Sequence, residues 1–231
     1  MASDKTIALK WFEKAAALQV AGQTQIDDLE ATRLFVGPSE YPPERFAAYG
    51  LVAFGSKAVA TSEGRYRLAC EAYVSAITNA QEVRTPYSSQ MVTVWPVETD
   101  KQGIFLSRPQ SDLGSACESA VKHYDLRRSI EGMKQARIQT KMAFDGEGPY
   151  LIAWSPATDR GKSDVAVLVA DLSGATTSEQ FREYFRHWRN DVESKPELWR
   201  NGWSVEKVRL VVRDWADKWG PAILSIAAGS K

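Results

Sequence analysis

Residues 157–174, ATDRGKSDVAVLVADLSG, contain a partial match to a nucleotide-binding motif. Gly161-Lys162-Ser163 resembles the end of a Walker A loop, in which glycines let backbone amides surround a phosphate. The motif requires another glycine where this chain has Pro156, which has no amide hydrogen. A Walker A loop also opens a helix, whereas an apolar run typical of a strand follows Ser163. We therefore predict that this stretch does not bind a nucleotide.

Asp171 ends the same apolar run, at a position where α/β proteins place catalytic and metal-binding carboxylates. An aspartate there can also accept backbone hydrogen bonds from the turn that follows. Because no second carboxylate lies nearby in the sequence, the pattern favours the structural role.

The loop Gly55-Ser56-Lys57 is a second candidate for chemistry, since it follows the first predicted strand and precedes a helix. A glycine, a hydroxyl and a lysine before a helix N-terminus can form an anion pocket. If this loop and Asp171 meet at the carboxyl ends of strands, the protein is a small-molecule or anion-handling enzyme. This is the alternative functional hypothesis.

The cysteines and histidines form no recognisable catalytic or metal-binding pattern. Cys70 and Cys117 are 47 positions apart, and only His123 and His187 could join them around zinc. No GxSxG or HExxH motif occurs. We therefore predict no metal and no cofactor, and favour a protein that is not an enzyme. The spacing favours two buried thiols, with a disulfide as the alternative for an exported protein.

Tryptophan is concentrated near the C-terminus, where five of the eight fall in the last 44 residues. Trp188, Trp215 and Trp219 recur at helical spacing, which indicates core packing. Trp199 and Trp203 flank Arg200 in a polar connection between two predicted helices. These rings could fold back as a lid, but Trp and Arg are also enriched at binding hot spots. The leading hypothesis is therefore a non-catalytic protein that binds a protein partner, or forms a homo-oligomer, through Trp199, Arg200 and Trp203.

The composition excludes several classes of partner. The 231 residues include 29 basic and 29 acidic side chains, so the net charge is zero and nothing favours nucleic acid. No segment approaches the 18 consecutive apolar residues of a membrane span. The first residues lead into an amphipathic pattern and not a signal core, which predicts a cytoplasmic protein; the alternative is an exported one whose signal has been replaced.

The predicted elements alternate between helices and strands, which indicates one layered α/β or α+β domain over residues 1–231. A mixed sheet of about four or five strands is flanked by helices and followed by a Trp-rich helical pair. The regions are an N-terminal helical segment, a sheet-containing core and the helical pair, at 1–36, 50–175 and 176–221.

Four strands and six helices carry this prediction. The strands are predicted at 51–54, 90–97, 149–154 and 165–170. The third and fourth form a hairpin, and the last is the covered centre of the sheet because it is apolar throughout. Helices are predicted at about 6–21, 23–35 and 62–77, and at 112–137 with a break after Asp125, where the apolar phase shifts. A further helix begins at a capping box formed by Thr177 with Gln180 or by Thr176 with Glu179, and the last one covers about 204–219.

Overall fold

The computed structural model describes residues 29–109, 112–160, 162, 167–200, 202, 204 and 224–227. Its strands are β1 (Glu30–Val36), β2 (Ala48–Ala53), β3 (Thr78–Asn79), β4 (Gln90–Pro96), β5 (Tyr150–Trp154), β6 (Val167–Asp171) and β7 (Leu224–Ala227). Its helices are α1 (Glu63–Ala76), α2 (Asp100–Leu106), α3 (Leu113–Lys122), α4 (Leu126–Thr140), α5 (Ser178–Ser194) and α6 (Pro196–Arg200). The predicted first and last helices, at about 6–21 and 204–219, lie outside the residues whose structure is described.

The strands form one mixed sheet in the order β3-β1-β4-β2-β5-β6-β7. β3, β1, β4 and β2 are parallel neighbours, and the remaining pairings are antiparallel. Buried apolar side chains cover both faces, with α1, α3 and α5 on one face and α4 on the other. This confirms the layered α/β fold, and the described sheet has seven strands, more than the four or five expected. Within the described part of the chain, no helix combines the length and hydrophobicity needed to cross a bilayer.

Helix α5 confirms the reading of its start and of its apolar face. The Thr177 hydroxyl accepts a hydrogen bond from the Gln180 amide, and the Gln180 side chain bonds back to the Thr177 amide. Phe181, Phe185 and Trp188 are buried against the sheet. The capping box therefore fixes where the helix begins, and the ring spacing fixes the face that it buries.

The predicted helix over about 23–35 is wrong at its C-terminal end, where the chain forms β1. Good helix formers in EATRLFV favoured a helix. In the structure β1 is a parallel strand between β3 and β4, with Phe35 buried on one face and Leu34 on the other. Burial on both faces and two partner strands outweigh the local helix propensity.

Strand β6 is covered as predicted but is not central. Leu168 and Ala170 pack on one face, and Val167 and Val169 pack on the other. β6 lies between β5 and β7, whereas β4 and β2 are nearer the middle. An apolar run therefore indicated coverage by helices and not the position of the strand. The predicted hairpin of β5 and β6 is confirmed.

The helical region over 112–137 is divided as predicted. α3 ends at Lys122, and α4 begins after Asp125, whose carboxylate accepts a hydrogen bond from the Arg128 amide at 3.2 Å. The phase change of the apolar residues therefore marked two helices capped separately.

The expectation of two buried thiols is wrong, because Cys70 and Cys117 form a disulfide. α1 and α3 pack side by side and bring the two Cα atoms to 5.6 Å, a separation that a disulfide spans. Both cysteines are fully buried. Burial of both cysteines was predicted, but only the packing of the two helices shows that Cys117 faces Cys70.

Candidate functional site

The carboxyl edge of the sheet brings the predicted loop Gly55-Ser56-Lys57 to an unpredicted pair of residues. Lys57 Nζ forms an ion pair with Glu98 Oε1, and His123 Nδ1 lies 3.5 Å from Glu98 Oε2. Val97 pairs with Tyr124 in an isolated bridge, which places Glu98 beside His123. The lysine that was predicted to bind an anion is therefore neutralised by a carboxylate of the chain itself.

Lys57 also changes the titration of its partner. The hydrogen bond from Lys57 holds the pKa of the Glu98 carboxyl below its usual range. A carboxyl whose pKa is lower in the folded state stabilises the fold above its unfolded pKa, and this contribution disappears as the pH falls through the folded pKa.

We expect Glu98→Gln to reduce the free energy of unfolding by less than about 1 kcal/mol at pH 7, because the pair is half-exposed. At pH 2 the wild type and the variant should be equally stable, since both then carry a neutral side chain. Urea denaturation at the two pH values checks this. If Glu98→Gln lowers the free energy of unfolding by the same amount at both pH values, the loss does not come from the ion pair of Lys57 with Glu98.

Asp171 lies at the same edge of the sheet but has its own partners. Ala53, Tyr150 and Asp171 are paired in one row across β2, β5 and β6, so Ala53 and Asp171 are two strand spacings apart, about 10 Å. Asp171 Oδ1 accepts a hydrogen bond from the Ser173 amide at 2.8 Å. This is the turn interaction that the sequence favoured, and the contacts of Lys57 and Asp171 do not converge on a shared group.

Arg65 occupies the space beside Asp171 and connects three segments. Its guanidinium donates to the carbonyls of Gly148, Leu172 and Ser173 at 2.5–2.9 Å, and also to that of Ala175. Arg65 therefore holds the hairpin of β5 and β6 against α1 at this edge of the sheet.

Of the three proposed partner-binding side chains, the structure describes only that of Trp199. Trp199 is 2% exposed, and its ring meets the Trp188 ring at 5.5 Å, edge to face. The Trp199 carbonyl also accepts a hydrogen bond from the Ser155 hydroxyl. Trp199 is therefore a core residue and not a surface anchor. Trp203 and the side chain of Arg200 lie outside the described residues, so partner binding through them stays a prediction.

A group of buried polar residues that the sequence reading missed lies on the α4 face of the sheet. We call it the arginine–aromatic cluster: Tyr41, Tyr49, Arg128, Trp154 and Arg160. Five different segments supply it, one residue each: the loop after β1, the neighbouring strands β2 and β5, helix α4 and the loop after β5. It lies away from the carboxyl edge, because the pair Tyr49–Trp154 is four rows from Ala53–Tyr150, roughly 13 Å.

Stacking fixes the geometry of the cluster. The rings of Tyr49 and Trp154 stack at 5.4 Å, and the Tyr41 ring meets Tyr49 edge to face at 5.8 Å. The Arg160 guanidinium lies 4.5 Å from the Tyr41 ring centre, and that of Arg128 lies 5.2 Å from the same ring. Two cations thus share one aromatic ring, in positions that cation–π attraction favours.

Polar atoms without partners distinguish the cluster from ordinary packing. Eight buried side-chain nitrogen or oxygen atoms in the described residues lack a hydrogen bond. Five of the eight belong to the cluster: Tyr49 Oη, Trp154 Nε1, Arg128 Nε, and Arg160 Nε and Nη2. Buried donors are nearly always satisfied in native proteins, so this concentration calls for an acceptor.

The carboxylate that forms an ion pair with Arg160 does not hydrogen-bond to it. Glu131 Oε1 is 3.9 Å from Arg160 Nη2, beyond hydrogen-bonding distance, while Glu131 Oε2 is 3.3 Å from Arg128 Nη1. The Arg160 side chain is only 6% exposed, so water reaches little of it. Burial raises the pKa of the Tyr49 hydroxyl well above its usual range, which keeps it a neutral donor. Two guanidinium charges therefore face a single carboxylate.

The loop that contains the failed Walker motif supplies Arg160. Lys162 itself forms an ion pair with Asp159 at 2.5 Å. The connection between β5 and β6 spans residues 155–166, and no local sequence signal marks Arg160 within it as buried. Within the described residues, no three His, Cys, Asp or Glu side chains are grouped so that they could hold a metal ion.

Comparison with known proteins adds no assignment. The chain matches no protein-family model, no curated protein and no solved structure.

Proposed function

We propose that this protein binds a small oxyanion, or a small molecule that presents one, in the arginine–aromatic cluster. The proposal keeps the anion-handling alternative from the sequence but moves its site from the carboxyl edge to the α4 face. The observation that carries it is the set of five buried polar atoms without hydrogen-bond partners.

The chemistry of these atoms selects the ligand. Guanidinium and indole nitrogens only donate hydrogen bonds, and a tyrosine hydroxyl can also donate. A carboxylate, phosphate or sulfate offers several acceptor oxygens and the negative charge that two arginines favour. Leaving a charged donor buried and unpaired is costly, so an oxyanion that pairs with it stabilises the folded state.

We expect acetate, phosphate or sulfate to raise the thermal unfolding midpoint, compared with chloride at the same ionic strength. A ligand at ten times its Kd adds about 1.4 kcal/mol, which corresponds to roughly 3–5 °C for a chain of this size. Arg160→Met should abolish the shift, because it removes two of the five unpartnered atoms, Nε and Nη2 of Arg160. Differential scanning calorimetry measures both.

Arg45→Met is the matched control. Arg45 also stacks on an aromatic ring, that of Tyr87 at 4.2 Å, but its side chain is half-exposed. This variant should keep the full anion response. Arg160→Met should fold, since methionine fills similar space and Glu131 remains partly solvated. Arg160→Lys is the alternative if it does not. An unchanged anion response in both Arg160 variants would contradict the proposal.

A further inference from the structure

The arginine–aromatic cluster adjoins a groove on α4, with which it shares Arg128. The groove is shallow and wide open to solvent, and the residues that line it are Leu126, Arg127, Arg128, Ile130, Glu131 and Lys134. Arg128 and Glu131 belong to both places: each lines the groove, and each contacts or adjoins the unpartnered guanidinium groups. The groove is therefore continuous with the proposed anion site.

The groove lining combines apolar and basic side chains. We call Leu126 and Ile130 the apolar floor, and Arg127, Arg128 and Lys134 the basic rim. Leu126 and Ile130 are half-buried and continue into the two apolar cores. Arg127, Arg128 and Lys134 carry three positive charges against the single negative charge of Glu131. A free inorganic anion would use the charges but would leave the apolar floor in contact with water.

We infer that the ligand is an amphipathic carboxylate, with its carboxylate at the arginine–aromatic cluster and its hydrocarbon portion along Leu126 and Ile130. This inference rests on the proposed function, because the cluster holds the charged end. Charge complementarity sets the placement: Arg128, whose Nε has no hydrogen-bond partner, lines the groove beside Leu126 and Ile130. Burial of each methylene group on the floor adds affinity that acetate cannot gain.

Calorimetric titration of the full chain with sodium acetate, sodium octanoate and octanol tests the inference. Octanoate, used below its micelle concentration, should bind at least about tenfold more tightly than acetate, which is the gain from burying about two methylene groups. Octanol should bind at least about tenfold more weakly than octanoate, because it lacks the charge that the arginines attract. Octanol binding as tightly as octanoate would contradict the orientation.

Two substitutions on α4 test whether the hydrocarbon binds along the apolar floor or at another part of the helix surface. Ile130→Ala should bring octanoate affinity close to that of acetate while leaving acetate binding unchanged. Ile138→Ala is the matched control, since Ile138 is 80% exposed on α4 and does not line the groove. It should change neither affinity. If Ile130→Ala does not fold, Lys134→Glu on the exposed rim should weaken octanoate and acetate together.

The outcomes distinguish this inference from the proposed function. Equal affinity for acetate and octanoate, both lost in Arg160→Met, would overturn the amphipathic ligand and leave the anion site standing. No binding of any oxyanion to the wild type would overturn both. Octanoate binding that Arg160→Met does not affect would place the carboxylate outside the arginine–aromatic cluster and also overturn the inference.

Discussion

Replacing Arg65 by methionine should lower the free energy of unfolding by about 3–5 kcal/mol, one of the two largest effects that we expect. The Arg65 side chain is 12% exposed. It donates to four backbone carbonyls, which lie in the segment before β5 and in the segment after β6. Methionine supplies no donor, so these carbonyls, which are buried or half-buried, lose their partner. Urea denaturation followed by circular dichroism measures the change.

The same helix offers a control for Arg65. Arg67 is exposed and forms only a surface ion pair with Glu71 at 3.7 Å. Arg67→Met should therefore change stability by less than about 1 kcal/mol. Arg65→Lys should fall between the two, because an ammonium group keeps the charge but cannot reach four carbonyls at once. If Arg65→Met is as mild as Arg67→Met, the guanidinium does not hold this edge together.

Loss of the Cys70–Cys117 disulfide should lower the free energy of unfolding by about 4 kcal/mol. The bond closes a span of 47 residues between two helices, and releasing it gives the unfolded chain more conformations. Urea denaturation with and without reductant should show this difference for the wild type. The Cys70→Ala, Cys117→Ala double variant should resemble the reduced protein and should not respond to reductant.

A second readout tests whether the bond exists. Thiol titration of unfolded, unreduced protein should detect no free cysteine, and one or two reactive thiols per chain would contradict the bond. A disulfide persists mainly in oxidising compartments. If the bond forms in the cell, it favours the exported alternative over the cytoplasmic prediction, and the redox state of the protein recovered from cells would decide between them.

Local signals predicted those parts of the fold that depend on neighbouring residues in the chain. The capping box at Thr177 and the ring spacing of α5 each involve residues a few positions apart. The break near Asp125 followed from a shift in apolar phase. Residues 30–36 could not be predicted in the same way, because their strand depends on pairing with β3 and β4, which come later in the chain.

The candidate site was harder to predict than the fold, for a related physical reason. Tyr41 and Arg160 are far apart in sequence, and they meet only because the loops that follow β1 and β5 lie beside α4. The predicted anion site contained the correct residue types for a local pocket. The fold supplies Glu98 to Lys57 and the Ser173 amide to Asp171, and neither partner is visible as a motif. Sequence spacing detects single elements, whereas a site between elements needs the tertiary arrangement.

Diffraction from crystals grown in selenate tests the oxyanion site most directly, because selenium gives an anomalous signal that water and chloride do not match. We expect an anomalous peak whose oxygens lie within hydrogen-bonding distance of Arg160 Nη2 and Trp154 Nε1, and no such peak in Arg160→Met crystals. Ordered water alone around these nitrogens, in crystals where selenate occupies other positions, would contradict the account.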